Sequence, residues 1–151
     1  MLTLLHTVVL GRPGSGCSTF LKTLANQRGE YHAVEGQVCY DSFTPKEIHD
    51  SFRGDVTYCP EDDFHFPTLT VNQTLSFAVR NRTPATRLPG QTREDYVEDT
   101  TTMLMKVFGL YRSKNTLVGN VQIQGVSGGE RKRVSIAENL GCAGSLGAWD
   151  K

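Results

Sequence analysis

Gly11-Arg12-Pro13-Gly14-Ser15-Gly16-Cys17-Ser18 follows the spacing G-x-x-x-x-G-K-[ST] at every position but one, with Cys17 where a lysine is expected. Such a loop holds phosphate by main-chain geometry. Glycines let the backbone curl close to phosphate oxygens, successive N–H groups point inward, and a following helix turns its positive end toward the anion. Ser18 would place its hydroxyl on Mg²⁺. The missing ammonium removes a charge-assisted contact worth about 1.5–3 kcal/mol, so binding weakens and phosphoryl-transfer chemistry suffers more. A second cluster, Val126-Ser127-Gly128-Gly129-Glu130-Arg131-Lys132-Arg133, pairs Ser127 with Glu130 as an S-x-x-E capping box ahead of Val134, Ile136, Ala137 and Leu140. Its paired glycines leave N–H donors uncovered, so this helix start reads equally well as a second phosphate contact or as a well-capped structural terminus. Glu61, Asp62, Asp63 and His65 offer metal-binding groups on one loop, but with no supporting shell they are expected to be solvated. The basic run Arg131, Lys132, Arg133 lacks an aromatic platform and is expected to be a solvated helix face, not a nucleic-acid surface.

Positioning the first loop requires a strand before it and a helix after it. Leu4 to Leu10 reads as a buried strand and Ser18 to Gln27 as the helix. Val34 to Tyr40 and Asp55 to Cys59 read as further short strands, with Pro45 to Phe52 between them holding a helical turn. Past Pro67 the texture becomes helical. Thr70 with Gln73 forms a capping box, and Val71, Leu75 and Ala78 follow at helical spacing. Asn81 to Gln91 carries prolines and a glycine and reads as a loop, after which Thr92 with Asp95 starts another helix. Val97, Thr101, Leu104 and Phe108 share one face of that helix, and Met103, Met105 and Phe108 are expected in the core. The sum is an α/β fold.

The chain has 151 residues, with 16 basic and 16 acidic side chains and a formal net charge of +0. That length suits one domain with one core, and the balance supplies no long-range field toward nucleic acid or anionic membrane. Cys17, Cys39, Cys59 and Cys142 are scattered without a C-x-x-C pair, so reduced thiols are expected. Leu2 to Leu10 is far shorter than the ~20 apolar residues of a membrane helix and lacks a basic leader, which points to a cytosolic chain. The triplets Asn72-Gln73-Thr74 and Asn81-Arg82-Thr83 would be glycosylation acceptors only in a secreted protein.

Val126 to Glu138, V-S-G-G-E-R-K-R-V-S-I-A-E, resembles the signature of ATP-binding cassette proteins, specifically the first nucleotide-binding domain of fungal pleiotropic-drug-resistance transporters. Gly11 to Thr19 is similar to that domain's degenerate phosphate loop, in which cysteine replaces lysine. Tyr58, Glu61, Asp63, His65, Phe66, Pro67, Leu69, Thr70 and Val71 resemble its Q-loop region, where glutamate stands in for glutamine. Three motifs in order, running through nearly the whole chain, make the resemblance specific. It implies a P-loop NTPase fold of RecA-like type, a mixed or parallel sheet core with an inserted helical subdomain, incomplete at both ends. The implied division is a core over 1–69 with the phosphate loop and Q-loop region, a helical subdomain over 70–125, and the signature helix with the start of Walker B over 126–151.

The resemblance also implies roles. Gly11, Arg12, Pro13, Gly14, Ser15, Gly16, Cys17, Ser18 and Thr19 would surround the phosphates of ATP, and Ser18 with Asp150 would hold Mg²⁺. Glu61 would sit between nucleotide, metal and the transmembrane coupling surface. Ser127, Gly128 and Gly129 would face outward and act in trans, because two such domains pair head to tail and each signature closes over the partner's ATP. The partners implied are a second nucleotide-binding domain and transmembrane domains, which would hold the chain at the cytosolic face of a membrane. Some residues depart from the pattern. Gln124 replaces the usual arginine, the strand before Asp150 is the glycine-broken Ala143 to Trp149, and Lys151 occupies the place of the catalytic carboxylate. The D-loop, the switch histidine, the N-terminal strands and the membrane helices are absent from the 151 residues, which read as a fragment of a transporter half. The function expected is ATP-driven export of drugs, with a degenerate site of its own and a signature that completes the partner's competent one. The rivals are a non-hydrolytic regulatory domain, a truncated chain without function, and a soluble phosphate-loop kinase, which has no use for the Ser127-Gly128-Gly129 signature.

Overall fold

Four helix starts are specified by side chains only three residues apart. Thr44 with Glu47, Thr70 with Gln73, Thr92 with Asp95 and Ser127 with Glu130 each form a reciprocal capping box, hydroxyl to the N3 amide and N3 side chain back to the cap amide. In the structure, a computed structural model that describes residues 6–150, these residues open α2 (Pro45–Ser51), α3 (Val71–Asn81), α4 (Arg93–Val107) and α5 (Gly128–Gly141). The exception is α1 (Cys17–Leu24). Its N-cap is Gly16 in the left-handed region at φ 89°, with no side-chain cap.

Between the last two helices runs a single 3₁₀ turn, Tyr111–Ser113. The apolar faces of α3, α4 and α5 enclose the core, in which Val71, Leu75, Met105, Leu110, Val118, Val126, Val134 and Ala137 are all buried. Val79, Val97 and Leu104 form a smaller cluster beside it, and half-buried Phe108 packs against both. The segment joining the 3₁₀ turn to α5 is stitched across the start of α3 by main-chain bonds, Val118 N–H to Leu69 O at 2.9 Å and Val71 N–H to Thr116 O at 3.0 Å. Its loop closes backbone against backbone. A Cβ on Gly125 would come within 2.5 Å of the carbonyl oxygens of Leu117 and Val118, and one on Gly119 within 2.6 Å of Ile123 O, so side chains are excluded at both positions.

The sheet consists of β1 (Val56–Cys59) and β2 (Leu146–Trp149), paired in parallel with Val56 opposite Leu146 and Cys59 opposite Trp149. Parallel pairing puts the C-terminal ends of both strands on one edge. Cys59 leads there into Pro60 and Glu61, and Trp149 into Asp150, whose N–H bonds Cys59 O at 2.9 Å. The α5 helix packs on β1, and α1 approaches β2.

Several sequence expectations change. Over residues 6–10 the expected strand Leu4 to Leu10 has no ladder, and Val8 and Leu10 are 77% and 89% exposed; Leu4 and Leu5 lie outside the described residues. An apolar run becomes a strand only when a neighbour pairs its N–H and C=O groups, and no described strand flanks this one. Val34 to Tyr40 likewise forms no strand, since Gly36 at φ 107° and Asp41 at φ 57° turn the chain and leave one bridge between Tyr40 and Phe43. The first helix stops short of Gln27 because Asn26, at φ 60°, turns out of the helix and donates its amide to Pro45 O at 2.8 Å. Met105 is buried as expected, but Met103 points to solvent, 53% exposed, two positions off the face set by Thr101, Leu104 and Met105.

Candidate functional site

Gly14 and Gly16 adopt φ of 80° and 89°, a conformation that L side chains rarely take, and the loop folds back so that Ser15 N–H bonds Arg12 O at 3.0 Å. Ser15 Oγ and Cys17 Sγ meet at 3.4 Å directly over Gly11. A Cβ on Gly11 would lie 2.6 Å from the Cys17 sulfur and closer still to Ser15 Oγ, so any other residue there must displace both side chains. Position 17 therefore fills the inside of the turn with a short thiol. With no side chain capping α1, its first amides, Cys17, Ser18 and Thr19 among them, remain available to an anion. This donor set fits a polyphosphate.

A cavity of about 570 Å³ joins this loop to the sheet, lined by residues 6–10, Cys17 and Leu21 on one side and Gly147 to Asp150 on the other. Cys17 and Asp150 thus share one space, at the C-terminal edge of parallel strands where open α/β folds bind ligands. Asp150 is buried, 8% exposed, and accepts the Tyr58 hydroxyl at 2.8 Å. Burial and that carboxylate together push the Tyr58 phenol well above its ordinary range. Asp150 and Ser18 are both oxygen donors of the kind Mg²⁺ takes. Glu61 leaves the same edge of the sheet on an exposed loop, outside the cavity lining. Among the described residues no group of three His, Cys, Asp or Glu side chains gathers into a metal cluster. Lys151 lies outside the described residues.

Ser127, Gly128 and Gly129 stand at the start of α5, away from that cavity. Here the first turn is secured from within. Glu130 accepts Ser127 N–H at 2.9 Å and Ser127 Oγ–H at 2.8 Å on one oxygen, and Ser113 Oγ–H at 2.6 Å on the other. The Ser113 bond, followed by the Ser127 bonds, holds the Glu130 carboxyl down at about 2. The two glycines face outward. A Cβ on Gly128 would meet nothing within 4 Å, and one on Gly129 only the tip of Arg133 at 3.9 Å.

The basic run after them departs from its expected solvated role at Lys132. Its ammonium donates to Pro60 O at 2.8 Å and Glu61 O at 2.9 Å, and Asp63 lies at 3.6 Å. Nor is the acidic loop simply solvated, because Asp63 and His65 turn onto Ser135. Ser113 and Ser135 have no assigned role in the sequence reading, and Lys132 stands there only in the solvated basic run. The available signal was spacing: Lys132, Ser135 and Glu138 fall three apart on one face of α5.

Residues 5–151 match the family model described as ABC transporter. The chain is 50% identical over 145 residues to the opaque-specific ABC transporter CDR3 of Candida albicans, covering 95% of this chain and 10% of that protein. It is 52% identical over 145 residues to the ABC transporter CDR4 of the same organism, with the same shares covered. With the ABC multidrug transporter atrF of Aspergillus fumigatus it shares 52% over 143 residues, 95% of this chain and 9% of that protein. It thus spans about a tenth of the length of these fungal relatives. ABC transporter domains have the P-loop NTPase fold and bind ATP with Mg²⁺, in keeping with the parallel strands and the glycine-rich turn ahead of α1. The chain belongs to the ABC transporter family.

Proposed function

We propose that this chain is the nucleotide-binding part, of the first-domain type, of an ATP-driven exporter of drug-like compounds. Gly11 to Thr19 would cradle the phosphates of one ATP through main-chain amides, with Ser18 and Asp150 as ligands of Mg²⁺ and Glu61, on its exposed loop, between nucleotide, metal and the transmembrane coupling surface. Mg²⁺, when bound, neutralises phosphate charge. The residues fall into a core over 1–69, a helical subdomain over 70–125 and the signature segment over 126–151. Ser127, Gly128 and Gly129 reach across a head-to-tail interface to the ATP held by a second nucleotide-binding domain. Transmembrane domains of the same transporter keep the assembly at the cytosolic face of a membrane; no helix among the described residues is long and apolar enough to cross one.

One observation carries this reading. Glycine is a poorer helix former than alanine, yet among the described residues nothing requires it at Gly128 or Gly129, where the space beside each is open. Bare backbone is useful there only to something arriving from outside. In the intact transporter, Ser127→Arg is expected to abolish ATP turnover and export; parental rates would overturn the assignment.

The short Cys17 thiol folded over Gly11 favours a second reading for the chain's own site, in which nucleotide is held without being cleaved. Single-turnover measurements with the partner's site disabled separate the two. Cleavage at the Cys17 loop excludes a purely regulatory role.

A further inference from the structure

The loop that carries Glu61 is fastened to α5 by side chains that the roles proposed above leave unused. Ser135 is buried, 7% exposed, and its Oγ–H donates to Asp63 Oδ1. That leaves the hydroxyl oxygen as acceptor for an N–H at His65 Nε2, 2.9 Å away, while His65 Nδ1 faces Glu138 Oε2 at 3.3 Å. The His65 ring is almost sealed, its side chain 3% exposed. Lys132 adds the two main-chain bonds to Pro60 and Glu61, and Asn139 Nδ2–H donates to Ser135 O at 3.1 Å. Ser135, His65 and Glu138 stand in the order of a nucleophile, base and orienting acid, but the serine Oγ–H already has acceptors in Asp63 Oδ1 and, at 3.3 Å, Arg131 O, and no described cavity opens onto its oxygen. The cluster is suited to holding, not to attack.

We propose that Lys132 and Ser135 are positioning residues that lock the Glu61 loop onto α5, so that this loop and the Ser127-Gly128-Gly129 terminus move as one body. A buried polar network with each member bonded rigidifies what it joins, and its atoms span about 70 residues of sequence, 72 between Asp63 and Ser135. The consequence rests on the transporter assignment: α5 presents the signature to one ATP while Glu61 stands at the other, so the lock ties events at the two sites together. Loosening it should lower the frequency with which the signature arrives correctly placed, and hence kcat, while KM is set elsewhere.

The test uses the intact transporter carrying Asp63→Asn, Ser135→Ala or both. Each single variant is expected to lose about tenfold in kcat at unchanged KM for MgATP, and the double variant no more than the worse single, as for residues acting as one unit. A double loss equal to the product of the singles, or unchanged kcat in both, would overturn the lock. Lys132→Arg, which keeps donors, should retain turnover that Lys132→Met loses; equal loss in both counts against the positioning role. Hydrogen exchange in the resting transporter provides a reading independent of turnover. Ser135→Ala should speed exchange over residues 61–65 and leave the α3 core unchanged, and parental exchange over 61–65 would sink the proposal. If Ser127→Arg kept full activity while that exchange rose, the lock would stand and the transporter assignment would fall.

Discussion

The starts of α1 and α5 are both rich in glycine and serine, yet they are built in opposite ways. At α1 the glycines sit in the left-handed region and no side chain caps the helix, so its amides are left to a ligand. At α5 the cap is complete, Glu130 receives three hydrogen bonds, and the glycines lie in ordinary helical backbone with open space beside them. A terminus with unmet donors receives an anion in place. One that is capped by its own side chains, and whose outer surface is stripped of them at Gly128 and Gly129, is shaped to be pressed against something else.

The largest effect that would break this contrast is at Gly11. Gly11→Val must displace both Ser15 and Cys17, and MgATP affinity at this chain's own site, measured by titration of the intact transporter, is expected to fall by a hundredfold or more, about 2.7 kcal/mol. Gly128→Val, facing open space, should leave that same affinity unchanged. Cys17→Lys sharpens the comparison from the other side. Restoring the ammonium should tighten binding at α1 by about 10–100-fold, the worth of a charged hydrogen bond, provided the longer side chain leaves the turn; no gain would mean that main-chain amides alone set affinity.

At α5 the expected effects are smaller and local. The folded-state carboxyl of Glu130 is lowered to about 2 from an ordinary 4.5, so its stabilising contribution is complete above about pH 4.5 and disappears as pH falls toward 2. Hydrogen exchange of the first turn of α5 should therefore accelerate over that window in the parent and stay nearly flat in Glu130→Gln. Smallest of all, Gly128→Ala should slow exchange in that turn slightly, because alanine is the better helix former and Gly128 is only the first helical residue, while ATP turnover declines. A stabilised helix with undiminished turnover would show that the bare backbone has no outside partner.

Much of this contrast was legible beforehand because it is local. The capping boxes at Thr70, Thr92 and Ser127 lie within four residues, and the structure reproduces each. Asp55 to Cys59 reads as a strand from its own residues, whereas the glycine-broken Ala143 to Trp149 reads as one only through the family resemblance and is a strand over Leu146–Trp149; their parallel pairing agrees with an α/β core. What escaped notice depends on distant partners. A strand over residues 6–10 needs a ladder that the described residues do not provide. Lys132, in a basic run that looked solvated, finds its acceptors at Pro60 and Glu61, more than 70 residues away. Met103 and Met105 have the same composition value but opposite burial, decided by a rotation of two positions on α4.

The parallel strands impose an order in time. Thr57 on β1 and Leu146 on β2 are separated by 89 residues, and at roughly 5–20 residues per second of synthesis the first strand waits about 4–18 s for its mate to leave the ribosome. The helix starts between them can be fixed within moments of emerging, since each cap needs only its own next three residues. Until β2 emerges, β1 lacks its pairing strand among the described residues, and an unpaired edge beside half-assembled helices is open to aggregation.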